Sequence, residues 1–212
     1  MTIAISVLLY DGVLIMADGK VSNPISSEIF HIDERKVVTL SDNHAAVGLG
    51  VEPGIQIALS EIRQKIVKYK EQDEIVKIVK NTVYDAWVFQ MNHTDFTIID
   101  RNDSLLSVGC LYAGVNKGRY FIGYYVKYPN GECTDMKIKP RDNIILGGEQ
   151  YKPKKYLRDR LDTLKTDQFN VINVMNYCKE TIQYVQECDH LFGGRITYSI
   201  IRTGSPIEIK DI

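Results

Sequence analysis

The first hairpin constrains the fold more than any other stretch. Residues 2–9 (TIAISVLL) and 13–17 (VLIMA) are nearly unbroken apolar runs, and Tyr10-Asp11-Gly12 separates them. An Asp-Gly pair between two such runs is a strong turn signal. A strand with one wet face alternates apolar and polar residues, and these two do not alternate. Both faces of their sheet are therefore expected to be covered. The rest of the chain has to supply the covers.

The pattern that follows suggests how. Further short strands are expected at 29–32, 37–40 and 45–49, with Asp42-Asn43 marking a turn between the last two. The period then lengthens. From 52 to 70, Ile55, Leu59, Ile62, Ile66 and Tyr69 recur at helical spacing, and Pro53 suits a first turn. A second helix is expected from 73 to about 90, with Ile75, Ile78, Val79 and Val83 on one face and an acidic start that complements the helix dipole. Strand character returns at 96–100, 105–115 and 120–128, the last ending at the turn Pro129-Asn130-Gly131. A short apolar run at 144–146 precedes Gly147-Gly148, and helices are expected at 154–164 and 171–186. A final strand covers 195–202, with 206–210 as a further edge.

Strands, a helix pair, strands, a helix pair and a strand do not make the strict alternation of a parallel α/β fold. The expected class is α+β: a four-layer α-β-β-α sandwich of two mostly antiparallel sheets, each covered by a helix pair. Length supports one domain over residues 1–212.

Composition narrows the function. Lys plus Arg number 26 and Asp plus Glu 27, for a net charge of −1, so the basic surplus of a phosphate-neutralising protein is missing. The basic stretch Tyr151-Lys152-Pro153-Lys154-Lys155-Tyr156-Leu157-Arg158 is followed by Asp159 and Asp162 and reads as a solvated helix face rather than a nucleic-acid site. No apolar run reaches the roughly 18 to 20 residues of a membrane span. The opening residues lack a basic n-region and meet Asp11 early, which argues against a signal peptide. A cytoplasmic protein is expected, with Cys110, Cys133, Cys178 and Cys188 reduced. Neither these cysteines nor His31, His44, His93 and His190 cluster at metal-ligand spacing.

Thr2 carries the most specific chemistry. A small residue after Met1 favours removal of the initiator methionine, which would leave Thr2 with a free α-amine beside its own hydroxyl. An α-amine titrates near 7.7 to 8.0, so a substantial fraction is neutral at pH 7 and able to act as base. A threonine hydroxyl activated by its own amine is a working nucleophile. Taken alone, Met-Thr is common and proves nothing; the context is more telling. Ala17-Asp18-Gly19-Lys20, Arg35-Lys36-Val37-Val38-Thr39-Leu40 and Val47-Gly48-Leu49-Gly50 follow in order.

With these residues the chain resembles the proteasome β-type subunits and their bacterial relatives, the N-terminal-threonine peptidases of the N-terminal nucleophile hydrolase class. Asp18 stands sixteen residues after Thr2, Lys36 aligns after a two-residue insertion, and Gly50 follows without a further gap. The resemblance implies Thr2 as nucleophile and base, Lys36 as the cation beside it, and Asp18 as the partner that orients Lys36. It implies the Gly50 N–H as oxyanion donor and Asp189 as a supporting residue. An alternative register puts Glu28 in the lysine position and removes the cation. Read singly, Asp18 also fits a turn, and Lys36 and Lys20 fit a solvated surface.

Two departures bear on catalysis. The family's Asp-x-x-Ser-Gly-Gly segment corresponds to Asp189-His190-Leu191-Phe192-Gly193-Gly194, with Phe192 replacing the serine. Its other serine falls near Gly147 or Gly148. The resemblance implies peptide or protein substrates, self-association into a ring or larger homo-oligomer, and no metal or organic cofactor. It specifies no ATP-dependent unfoldase as partner, and activation would rest on loss of Met1 alone. Two other readings stand beside it: a catalytically degenerate assembly or binding subunit, and an amide hydrolase of the same nucleophile class that forms no ring.

Overall fold

The apolar hairpin forms as its sequence requires. In the computed structural model, which describes residues 2–22, 29–31, 34–50, 52–67, 72–95, 106–137, 143–146 and 151–212, β1 (Ala4–Leu8) pairs antiparallel with β2 (Val13–Ala17), and every residue of both is buried. They lie inside a five-stranded sheet of order β10-β1-β2-β11-β12, in which β10 is Asn143–Leu146, β11 is Thr197–Ile201 and β12 is Lys210–Asp211. A second five-stranded sheet runs β5 (Val37–Ser41), β6 (His44–Gly50), β7 (Val108–Asn116), β8 (Arg119–Lys127) and β9 (Cys133–Lys137) in sequence order. All pairings in both sheets are antiparallel. A small ribbon of β3 (Val21–Ser22) and β4 (Ile29–His31) lies apart from both.

Side-chain alternation explains why β1 and β2 can be apolar throughout. Ala4, Leu8, Val13, Ile15 and Ala17 pack with Val37, Ala45, Val47, Leu111, Ala113 and Val126 of the second sheet. The intervening Ile3, Ile5, Val7, Leu9, Leu14 and Met16 pack with Leu157 and Leu161 of α3 (Tyr151–Leu161) and with Val174, Cys178, Ile182 and Val185 of α4 (Val171–Cys188). The outer face of the second sheet buries Ala46, Val108, Cys110, Tyr112 and Phe121 under α1 (Glu52–Ile66) and α2 (Gln72–His93). Three apolar layers between four structural layers make this the α-β-β-α sandwich expected from the sequence.

The helices bury part of the expected stripes, Ile62 and Ile66 on α1 and Ile75, Val79 and Val83 on α2. Ile55, Leu59 and Ile78 are only half-buried, Gly54, Ala58 and Ala86 are buried instead, and Tyr69 lies outside the described residues. Asn170 caps α4, its side-chain oxygen accepting from the N–H groups of Ile172 and Asn173 at 3.1 Å each. Several boundaries differ from expectation. α3 begins at Tyr151 rather than 154, because Pro153 needs no backbone partner in a first turn. The edge expected at 206–210 is confined to Lys210–Asp211. β9 has polar residues on an edge strand and carried no apolar signal. The strand expected at 96–100, together with Met1, Glu28, Gly147 and Gly148, lies outside the described residues. Among the described residues no helix is long and apolar enough to cross a membrane.

At the turn between β5 and β6, His44 is buried with its Nδ1 2.6 Å from Ser41 Oγ, and its Nε2 has no hydrogen-bond partner among the described residues. Burial pushes its pKa down to about 4. The folded state thus favours the neutral ring. That contribution is complete above the unfolded value of about 6.5 and is lost as pH falls toward the folded value, by roughly 3 kcal/mol at most. Urea titrations between pH 7 and 4 should show this slope in the wild-type protein and a shallower one in His44→Gln. Equal slopes in the two proteins would mean that His44 is solvated.

Candidate active site

Two hairpins bring the candidate residues to one end of the sandwich. Ala4 lies opposite Ala17, so Thr2, ahead of β1, and Asp18, just past β2, leave the first sheet at the same end. In the second sheet Val37 lies opposite Val47, so Lys36 and Gly50 likewise share an end. Lys36 joins the two sheets: its Nζ donates to Asp18 Oδ1 at 2.9 Å and to the Lys20 carbonyl at 2.5 Å.

Asp18 is the fixed point of this arrangement. Its side chain is fully buried, and that of Lys36 is 9% exposed. Besides Lys36, Asp18 Oδ1 accepts from the Ile3 N–H at 3.1 Å and Oδ2 accepts from the Gly193 N–H at 3.2 Å. The half-buried Thr2 is thus joined directly to a residue whose amide shares a carboxylate oxygen with the Lys36 ammonium. Burial dominates the electrostatics of the pair. It pushes the Asp18 carboxyl above the ordinary carboxylate range and Lys36 below the ordinary lysine range, and each charge partly offsets the effect on the other.

The backbone around Asp18 is closed by three more bonds: Asp18 N–H to Ile3 O at 3.1 Å, Gly19 N–H to Gly193 O at 3.1 Å, and Glu34 N–H to Gly19 O at 2.8 Å. Lys20 Nζ donates to the His190 carbonyl. A loop from the far C-terminal third of the chain is therefore sewn onto the segment that follows β2. Sequence reading missed the Gly193 amide as an Asp18 donor. Backbone donors carry no residue-type signal, and only the Gly193-Gly194 pair marked the loop as conformationally unusual.

Gly50 ends β6, is exposed, and has φ +108°. A Cβ there would lie 1.7 Å from the Ser107 carbonyl oxygen. Only glycine fits this exit from the strand into α1. Gly50→Ala is expected to lose about 1–3 kcal/mol through backbone strain alone, before any repulsion from Ser107. An unchanged urea midpoint would contradict this geometry.

Asp189 is not brought to the Lys36 pair in the same way. It follows α4, where its Oδ1 accepts from the Leu191 N–H at 2.9 Å and its carbonyl accepts from the Phe192 N–H at 3.1 Å. These bonds shape the loop that presents Gly193. Phe192 is 2% exposed and fills the core between the first sheet and its helices, so it supplies packing at the position where the resembled family has a serine.

No family model matches the chain, and no curated protein matches it. Solved structures do. A Gly-1 mutant of Anbu from Hyphomicrobium sp. strain MC1 superposes with a TM-score of 0.71 at 14% identity, covering 100% of this chain and 87% of that one. Another Anbu structure from the same organism gives a TM-score of 0.68 at 14% identity over 99% of this chain and 87% of its own. Anbu has a bacterial proteasome-like fold of the N-terminal nucleophile type. At this identity the likeness is one of fold.

These findings correct the assignment to the proteasome β-type subunits and their bacterial N-terminal-threonine peptidase relatives. The two solved structures described above are of Anbu, and no match of sequence places the chain in the β-type family. The physical reason lies in the motifs themselves. Asp18 and Lys36 form a buried pair that joins two sheets, and Gly50 occupies a backbone position closed to other residues. These are structural roles, and the spacing of such residues by itself does not establish a family.

Proposed function

We propose that this protein is a threonine-type peptidase in which Thr2, exposed by removal of Met1, is the nucleophile. The observation that carries this reading is the buried Asp18–Lys36 pair, bonded through Asp18 to the amide that follows Thr2. Thr2 Oγ attacks the substrate carbonyl carbon while its proton passes to the Thr2 α-amine. The Lys36 ammonium favours both the ionised hydroxyl and the neutral amine. Asp18 orients and partners Lys36, which burial would otherwise penalise heavily. The Gly50 N–H serves the developing oxyanion, where the absence of a side chain permits close approach.

Collapse of the tetrahedral intermediate breaks the C–N bond, and the α-ammonium returns its proton to the leaving amine. The resulting ester on Thr2 is hydrolysed by water, with the α-amine again as base. Asp189 acts indirectly, holding the loop that donates Gly193 N–H to Asp18. Self-association into a ring-shaped chamber belongs to the same proposal.

The test is hydrolysis of fluorogenic peptides by the purified wild type and by Thr2→Ala, with size-exclusion chromatography of both. Cleavage that disappears in Thr2→Ala, from an assembly of many protomers, is the expected result. Equal cleavage by both proteins would overturn the nucleophile, and a monomer or dimer would overturn the chamber. One observation favours a second reading, a catalytically silent assembly subunit: Phe192 puts an aromatic ring in the core at the position where the resembled family has a serine.

A further inference from the structure

The last strand of the chain makes a connection that the proposed chemistry does not use directly. β12 pairs with β11 with Asp211 opposite Thr197, and the Ile212 N–H donates to the Ile196 carbonyl at 2.9 Å. This fixes Asp211 at the edge of the first sheet. Its Oδ2 accepts from Arg35 Nη2 at 2.9 Å and from Arg195 Nη1 at 3.1 Å. Arg35 precedes Lys36 in the chain, and Arg195 lies two residues beyond Gly193.

One carboxylate oxygen therefore ties together the two segments that close on Asp18 from opposite sides, one delivering the ammonium and the other a backbone N–H. The two guanidinium groups would repel one another if Asp211 did not lie between them. Arg35 first, and Arg195 with it, holds the Asp211 carboxyl below its usual range.

We propose that Asp211 is a positioning residue for the candidate active site, clamping the Arg35–Lys36 and Gly193–Arg195 segments around Asp18. The proposal rests on the peptidase reading for its kinetic consequence, but the clamp itself has a readout independent of turnover. The Arg–Asp contacts are partly exposed, and exposed pairs contribute little to global stability. Loss of the clamp should therefore loosen one locality without unfolding the protein.

The experiment compares wild type, Asp211→Asn, Asp211→Glu and Arg35→Gln by site-resolved amide hydrogen exchange, thermal unfolding and peptide hydrolysis. In Asp211→Asn and Arg35→Gln the Gly193 amide should exchange about tenfold faster, while amides in the centres of β1, β2 and β7 keep their rates. In the same two variants kcat should fall about fivefold with KM unchanged, and Asp211→Glu should recover much of both effects. Gly193 exchange at the wild-type rate in both variants would overturn the clamp. So would uniformly faster exchange together with a large fall in Tm, which would make Asp211 a general stabiliser. If the wild type cleaves no peptide, the peptidase reading fails, and Gly193 exchange still decides for or against the clamp.

Discussion

Lys36→Ala is expected to destabilise the protein by about 3–5 kcal/mol, because it leaves the Asp18 charge buried without its counter-charge. For a chain of this size that corresponds to a Tm lower by roughly 6–20 °C. The size of the effect follows from burial. Lys36 and Asp18 side chains are 9% and 0% exposed, so water cannot replace the lost ammonium without opening the join between the sheets. The remaining donors, Ile3 N–H and Gly193 N–H, satisfy hydrogen bonds but bring no full charge.

Two further variants make the argument quantitative. Asp18→Asn should be destabilising for the complementary reason, a buried ammonium left without a carboxylate. The double variant Asp18→Asn/Lys36→Met should be more stable than the sum of the single losses predicts, since it removes both charges and keeps the volume. Urea unfolding of the four proteins measures the coupling directly. A Lys36→Ala loss below about 1 kcal/mol would place the pair in the class of solvated surface bridges and contradict the buried geometry.

How much of this was legible beforehand depends on what each element says locally. The β1–β2 hairpin was readable because two apolar runs flank an Asp-Gly turn, and the helix pairs because Ile62, Ile66, Val79 and Val83 recur at helical spacing. β9 was missed because Cys133-Thr134-Asp135-Met136-Lys137 is an edge strand with little apolar content, held by its ladder to β8. The two-residue β3 and the shift of α3 to Tyr151 are similarly products of context, the latter permitted by Pro153.

The site divides along the same line. Thr2, Asp18, Lys36 and Gly50 were nameable because each is a distinctive residue type at a spacing that a known family shares. The resemblance implied the Asp18–Lys36 pairing, but its depth of burial was not readable, since it depends on how two separate sheets stack. The role of the Gly193 amide and the residue Asp211 were missed. The first acts through its backbone, and the second lies 175 residues beyond Lys36, where a lone Asp beside Lys210 reads as ordinary surface. The family assignment rested on a few short motifs, and no match of sequence supports it.

Thr2→Ala carries the largest expected functional effect. Removing the hydroxyl deletes the acyl acceptor and leaves no other group in the proposed mechanism to take its place. A fall of at least about 10^3 in kcat is expected, in line with loss of a covalent nucleophile elsewhere. Thr2 is half-buried and lies ahead of β1, so its loss should leave Tm close to that of the wild type. The contrast with Lys36→Ala is informative, because that variant should lose both stability and turnover. A Thr2→Ala protein that is equally stable and equally active would leave the fold intact and remove its proposed chemistry.

The most direct measurement is the intact mass of the purified protein before and after incubation with an electrophile that traps N-terminal threonine. The expected result is a mass lacking one methionine, a single adduct on the wild-type chain, and none on Thr2→Ala. A chain that keeps Met1 and takes no adduct, or an adduct that persists in Thr2→Ala, would contradict it.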